Sequence, residues 1–285
     1  MERGELNRSL STALAFLLAE ATGHDYYDHI ASTDTWYQLQ VLRSLLCERH
    51  ALPPLPADVM DAVDCLTLYQ QAHRIQVSTA SIPPRYCTTS SPRVQISLWR
   101  GDITTLTDVT AIVNAANEQL MGCFQPQHRC IDNVIHLAAG PRLRSACYKL
   151  MAAQDHRPEP NGHAKLTPGY ALSAQWVLHT VGPQLHPGQE PSEREKDDLR
   201  SCYLSCLDAV EKLSPLPDGR LVIAFPCIST GLFCFPADLA ARIAVAAVES
   251  WCASHPTTTL TDVIFDVFSD ADEQHYEGAL AEALN

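Results

Sequence analysis

VQISLWRGDITTLTDVTAIVNAAN, residues 94–117, sets two short apolar, β-branched runs on either side of a Gly-Asp turn. VQISLWR (94–100) and TAIVNAA (110–116) have the length and the Val/Ile content of buried strands. Three more runs of this kind follow: QWVLHTVG (175–182), LVIAFPCIS (221–229) and VIFDVFS (263–269). Helical stretches separate them at 131–152, 193–213 and 236–254, and another covers 270–283. This alternation predicts an α/β layered domain with a mixed or mostly parallel sheet. In such sheets ligands bind at the carboxyl ends of the strands, so function is sought in the strand-to-helix loops.

The chain before Val94 has another character. Leu10, Leu17 and Leu18 pattern one helix, and Trp36, Leu39, Leu42, Leu45 and Leu46 pattern a second at three- and four-residue spacing. Pro53, Pro54 and Pro56 break the chain, and residues 57–75 form a third helical stretch. STASIPPRYCTTSSPR (78–93) reads as a linker. The expected organisation is a helical extension with its linker over 1–92 and an α/β domain over 93–285. The extension holds no chemical motif, and its expected role is a cap on the sheet domain. GHDYYDHI (23–30) within it reads as a surface loop.

Hydrophobic residues make up 46% of the chain and charged residues 19%, as in ordinary globular domains. The apolar stretch near the N-terminus has acidic flanks and reads as an amphipathic helix rather than a signal peptide. Eleven cysteines without a dense framework read as reduced thiols, most of them small core residues. The expectation is a soluble, cytoplasmic protein. A net charge of −13 argues against nucleic-acid and membrane partners but leaves an anionic ligand open, because backbone N–H groups bind phosphate without Lys or Arg.

Four loops carry chemistry. GDITTL (101–106) presents the Asp102 carboxylate at a strand end, and NAAN (114–117) offers amides suited to sugar hydroxyls. CISTGLFCFP (227–236) brings hydroxyls, N–H groups and a flexible backbone to a helix start, which suits a phosphate cradle. GCFQPQHRCIDN (122–133) packs Cys123, His128 and Cys130 close together, followed by Asp132. Two core cysteines and a surface histidine are the plain alternative, but the spacing is too short and Pro-interrupted for a helical stripe. Three Cys/His donors with one open position is a catalytic zinc pattern. Asp132 is then a fourth ligand or orients a water beside the metal. A redox pair is a poorer reading, since no C-x-x-C is present. Asp132, Ile135, His136 and Ala139 share one helical face. Gly140 is placed to end that helix in a left-handed cap, and Pro141 to start the next.

In this order, GDIT (101–104), IVNAAN (112–117), IDNVIHLAAGP (131–141), KLTPGYALSAQWVLHTVGP (165–183) and CISTGLFCFP (227–236) resemble the macrodomain family of ADP-ribose-binding and ADP-ribose-cleaving proteins. GCFQPQHRC stands where most members have a glycine-rich run, and this departure is similar to the zinc-containing class, which also has a helical N-terminal extension. The resemblance implies a three-layer α/β/α fold with a mixed sheet. It implies hydrolytic removal of mono-ADP-ribose from proteins, linked through an acidic side chain, opposite a sirtuin-type ADP-ribosyltransferase. A non-catalytic ADP-ribose reader, or a hydrolase of small derivatives such as O-acetyl-ADP-ribose, is the alternative.

Carried over by motif, Asp102 and the Ile103 backbone hold adenine and Phe268 meets its face. Asn117 holds the distal ribose beside Ile131 and Asp132, with Asn117 and Asp132 as the catalytic pair. The backbone of Ser229, Thr230, Gly231, Leu232 and Phe233 cradles the diphosphate. Cys123, His128 and Cys130 hold one Zn²⁺. Cys234 occupies a place where glycine is common in the family, so a positive φ there would strain it. His163, where an acid or amide is common, reads as a surface residue.

Overall fold

The computed structural model describes residues 3–24, 26–88 and 92–283. The chain opens with helices α1 (Arg3–Thr22), α2 (Tyr27–Ala31), α3 (Thr35–Glu48) and α4 (Ala57–Ala72). They enclose their own apolar cluster, built on Leu10, Leu14, Leu17, Leu42, Val63 and Leu66. Leu10, Leu17 and Leu42 are buried as their spacing predicts, whereas Trp36 is 69% exposed. Trp36 lies in the first turn of α3, beside the Asp34 cap, on the solvent side of that helix. Tyr27–Ala31, overlapping the stretch read as surface loop, is a short helix with no buried residue.

Four short strands frame the first functional turn: β1 (Val77–Ser78), β2 (Pro84–Cys87), β3 (Gln95–Arg100) and β4 (Leu106–Thr107). β1 and β4 pair with each other in parallel. The segment read as a linker therefore contains structure. β2 runs antiparallel to β3 with an irregular register and forms one edge of the main sheet. Pro84 is tolerated because it lies at the start of an edge strand. Residues 89–91 of that segment lie outside the described residues.

The rest of the chain alternates as expected: β5 (Ala111–Ala115), α5 (Ile131–Ala139), α6 (Pro141–Ala152), β6 (Ala164–Pro168), β7 (Trp176–Thr180), α7 (Glu193–Val210), β8 (Val222–Phe225), α8 (Ala237–Ser254), β9 (Asp262–Val267) and α9 (Asp270–Ala283). The main sheet has the order β2-β3-β9-β8-β5-β7-β6. β3, β9, β8, β5 and β7 are parallel, and the edges β2 and β6 are antiparallel. A mixed sheet with buried central strands explains their continuous apolar runs. The Ser192–Glu195 capping box starts α7.

Alternation along each strand divides the core into two layers. Val113, Leu178, Ile223, Phe225 and Phe265 face the layer of α7, α8 and α9. Ile112, Val177, Val222, Ala224 and Ile264 face α5 and α6. The N-terminal helices pack outside α5, with α3 and α4 against it. The fold is thus the three-layer α/β/α arrangement, with the helical region laid over one face.

α5 and α6, spanned by a single helical stretch in the periodicity, are separated at Gly140. Its φ is 84° and ψ 175°, so it is positive-φ but extended rather than a left-handed helical cap. Pro141 starts α6 as predicted. The combination at Gly140 is available almost only to glycine. Gly140→Ala should lower stability by about 1–3 kcal/mol, seen as a lower urea midpoint with an unchanged m-value. An unchanged midpoint would show that this turn tolerates a side chain.

Candidate active site

Because five neighbouring strands are parallel, their carboxyl ends share one edge of the sheet. The turn at 101–105, the loop 116–130 and the loop 226–236 all leave from that edge. On β5, Asn114 points to the α5 side, since Ile112 does and side chains alternate. The β5/β7 register sets His179 beside it. Asp132 enters from the first turn of α5.

These residues form one buried polar chain. Asn114 Nδ2 donates to Asp132 Oδ1 at 2.8 Å and lies 3.1 Å from His179 Nδ1. With both amide protons so placed, His179 Nδ1 accepts and its protonated Nε2 faces Thr167 Oγ1 at 2.9 Å. Asn117 Nδ2 donates to Asp132 Oδ2 and to the Gly122 carbonyl, each at 3.1 Å. Asp132 is 4% exposed. Burial raises its carboxyl to about 6, opposed by the Asn114 hydrogen bond and the positive charge of Arg144.

Behind it, His136, Cys147 and His179 also bring ligand-type atoms within 4.8 Å of one another. Burial lowers His179 to about 3, lowers His136 well below its usual range and raises Cys147 to about 12. These groups are neutral core members.

The sequence cluster is assembled. Cys123, His128 and Cys130 place one ligand atom each within 4.8 Å of the others. Cys123 Sγ lies 3.4 Å from His128 Nδ1. A tetrahedral zinc with ordinary bond lengths sets such an S and N roughly 3.5 Å apart, so the donors fit that ion. Cys130 is also the N-cap of α5, its sulfur accepting from Asn133 N. Burial pushes its thiol up to about 12. A bound cation is the physical means of favouring the thiolate there. Gly122 opens the loop at φ +81°, and a Cβ on it would meet the His136 ring at 2.8 Å. Glycine is required on both counts.

Asp102 sits at the end of β3 and caps the turn Ile103–Thr105 by accepting from Thr104 N. Ile103 is buried, and Ile131 packs on the α5-side core. Phe268, just past β9, is 82% exposed and free to meet a ligand face. In the 227–236 loop, Ser229 is buried and Leu232 exposed. Ser229 and Cys234 have φ of 65° and 55°, so the strain expected at Cys234 is present. Phe235 N donates to Ser229 O and Cys234 N to Gly231 O, closing the loop on itself. His163 is exposed, 3.7 Å from Glu159.

Sequence reasoning missed the residues that hold the metal-type loop. Arg144 Nε donates to the Met121 carbonyl at 2.9 Å, and its Nη1 donates to the carbonyls of Leu46, Cys47 and Arg49 at the end of α3. Its guanidinium lies 4.5 Å from the Phe124 ring centre, and Phe124 stacks on His50. The Cys47 thiol lies 3.3 Å from both the Cys123 carbonyl and Asn133 Oδ1. Asn133 Nδ2 donates to the carbonyls of Gln125 and His128. Neither Arg144 nor Cys47 sits in a recognisable motif.

A family model described as Macro domain matches residues 113–244. A "probable bifunctional ADP-ribose hydrolase/ADP-ribosyltransferase" of Fusarium oxysporum f. sp. cubense is 47% identical over 268 residues, covering 93% of this chain and 45% of that protein. A "protein-ADP-ribose hydrolase" of Treponema medium is 48% identical over 179 residues, covering 63% of this chain and 64% of its own. The chain therefore spans less than two thirds of either relative. Among solved structures, an Oceanobacillus iheyensis macrodomain variant with ADPR is similar at 30% identity and a TM-score of 0.59, covering 70% of this chain and 98% of that one. Among the described residues, no helix is long and apolar enough to cross a membrane.

Arg144→Met should remove a buried cation from four carbonyls and cost at least about 3 kcal/mol in chemical denaturation. Alkylation of Cys123 should also quicken as its loop loosens. A loss under about 1 kcal/mol would mean that the clamp is not what orders the loop.

Proposed function

This chain belongs to the macrodomain family, and from that membership we propose that it is a hydrolase releasing mono-ADP-ribose from modified proteins, with Zn²⁺ held by Cys123, His128 and Cys130. The observation that carries the reading is the position of Asp132. It is one buried carboxylate, fixed by the Asn114 and Asn117 amides, immediately after a three-donor metal-type loop. A protein that only binds ADP-ribose has no need of both. The names of the Fusarium and Treponema relatives support hydrolysis. The Fusarium name also couples hydrolase and transferase, which supports an ADP-ribosyltransferase as the opposing activity. A sirtuin-type transferase and an Asp/Glu linkage follow from the resemblance alone.

In this reading the Ser229–Phe233 backbone takes the diphosphate. Asp102 takes the base amino group, with the Ile103 backbone beside it and Phe268 on the base face. Asn117 and Asp132 take the distal ribose next to Ile131. When bound, the zinc offers a Lewis-acidic open position, tempered by the charge of two thiolates. Asp132 accepts a proton from the water that attacks the scissile carbon as the protein carboxylate leaves, or from a ribose hydroxyl on a neighbouring carbon. Two amide donors aim its oxygens, so the orientation is set before substrate arrives. Asn117 links this carboxylate to the Gly122 carbonyl at the start of the metal-type loop, coupling ribose position to that loop.

The test uses a protein mono-ADP-ribosylated on Asp or Glu, with metal measured on the same sample. Wild-type chain should release ADP-ribose. Asp132→Ala should slow release by about 10²–10⁴-fold in a protein that still folds, at a lower thermal midpoint because the Asn114 and Asn117 amides lose their acceptor. Cys130→Ala should lose both zinc and turnover. Full turnover in either variant overturns the assignment of that residue. Tight ADP-ribose binding without release, in fully metallated wild type, would make the protein a reader.

A further inference from the structure

Between the helical region and α5 lies a cavity of about 450 Å³, lined on one side by residues of GDIT and IDNVIHLAAGP and on the other by residues outside the family motifs. The volume falls in the ~300–1,000 Å³ range of small-molecule sites. Asp102, Val134 and Ala138 line it from the sheet domain, and Tyr69 and Arg74 line it from the helical region. The residue read as the adenine ligand therefore opens onto a space that the N-terminal helices help to build.

Asp102 is already heavily engaged. Its Oδ1 accepts from Thr104 N at 3.0 Å and from Thr104 Oγ1 at 2.5 Å. Its Oδ2 accepts from Arg74 Nη2, in an ion pair about one third exposed on each side. An ionised carboxylate has about four acceptor sites, so one remains. Arg74 is itself fixed, its Nη1 donating to Gln71 Oε1 at 3.0 Å and Thr104 Oγ1 at 2.8 Å. Gln71 Nε2 closes the network on the Thr104 carbonyl at 3.1 Å. Nearby Arg100 is committed elsewhere, to Asp270 and Glu273. Asp266, buried one strand away, is a second carboxyl in this corner, and its group is raised by burial and by Asp102. Arg74 is the cation placed against the Asp102 carboxylate, and it occupies one acceptor site of Oδ2.

We propose that the base subsite is a composite of the two regions, with Arg74 as its specificity-determining residue, orienting Asp102 so that one acceptor site faces an exocyclic amino group. The inference rests on the ADP-ribose reading above. A 6-amino purine donates to that site, whereas a 6-keto purine presents an acceptor and leaves two lone-pair groups opposed. Sites built on a buried polar contact reject analogues lacking it far more sharply than shape alone does. The selection of adenine is then a property of the helical extension, which thereby becomes more than a cap.

The experiment is calorimetric titration with ADP-ribose and with its hypoxanthine counterpart, inosine diphosphate ribose, on the full chain. Wild type should prefer ADP-ribose by at least about tenfold. Arg74→Gln should weaken ADP-ribose by about tenfold and bring the two ligands within about twofold of each other, and Arg74→Lys should recover part of the preference. Leu137→Trp narrows the cavity from α5 and leaves Arg74 and Asp102 themselves unchanged, and it should weaken both ligands by a similar factor. Thermal unfolding of each variant separates misfolding from lost binding. A folded Arg74→Gln protein with the wild-type preference overturns the role of Arg74, and wild-type binding by Leu137→Trp overturns the composite cavity. Should Arg74→Gln not fold, the Lys and Trp variants decide the same two points. Wild-type protein that binds neither nucleotide removes the ADP-ribose reading itself, and the inference with it.

Discussion

Burying an ionisable carboxylate beside a sheet is the constraint that organises this molecule. An unpaired carboxylate in that position costs several kcal/mol, so its donors must be fixed in advance. Asn114 and Asn117 supply them, and each has its second amide proton committed, to His179 and to the Gly122 carbonyl. The β5/β7 register, the first turn of α5 and the start of the metal-type loop are therefore tied to one side chain. Moving any of them strands a buried polar group, which is a larger penalty than most single contacts repay. That mutual dependence gives the site its rigidity.

The N-terminal helices extend the same logic outward. A helix end leaves carbonyls without intrahelical partners. The end of α3 uses the Arg144 guanidinium to satisfy the carbonyls of Leu46, Cys47 and Arg49, and that cation reaches Met121 with its remaining reach. The carbonyls of one region are thus completed by a cation of the other, and the loop carrying Cys123 is held between them. At the opposite end of the same interface, Gln71 and Arg74 hold the Asp102 turn. Both the Cys123 loop and the Asp102 turn are therefore braced by a region that carries none of the family's motifs.

What the sequence reveals and what it hides follow from range. The central strands and the helices after them have periodicities contained in a dozen residues, so they are legible. Cys123, His128 and Cys130 are legible because the three donors lie within eight residues and no helix or strand explains them. β2 is hidden because PRYC begins with a proline, follows another, and owes its strand character to its partner β3. Arg144 and Cys47 meet the metal-type loop across gaps of 23 and 76 residues, and Arg74 meets Asp102 across 28. Such contacts leave no local pattern, and each of these residues alone reads as an ordinary helix or turn residue.

The phosphate-type loop shows a different economy. Ser229 and Cys234 hold positive φ without being glycine, at a cost of order 1–2 kcal/mol each. The strain persists because the loop is over-determined: Phe235 N reaches Ser229 O, Cys234 N reaches Gly231 O, and Leu185 N reaches Phe233 O from the neighbouring segment. Glycine at position 234 would relieve the strain but widen the conformations available to the free loop. A strained, closed loop keeps its backbone N–H groups oriented before an anion arrives, so less ordering is left for binding to supply. In a chain of net charge −13 the attraction for a diphosphate has to come from such fixed local dipoles rather than from the overall field. The strain at Cys234, an oddity in the sequence, is consistent with that requirement.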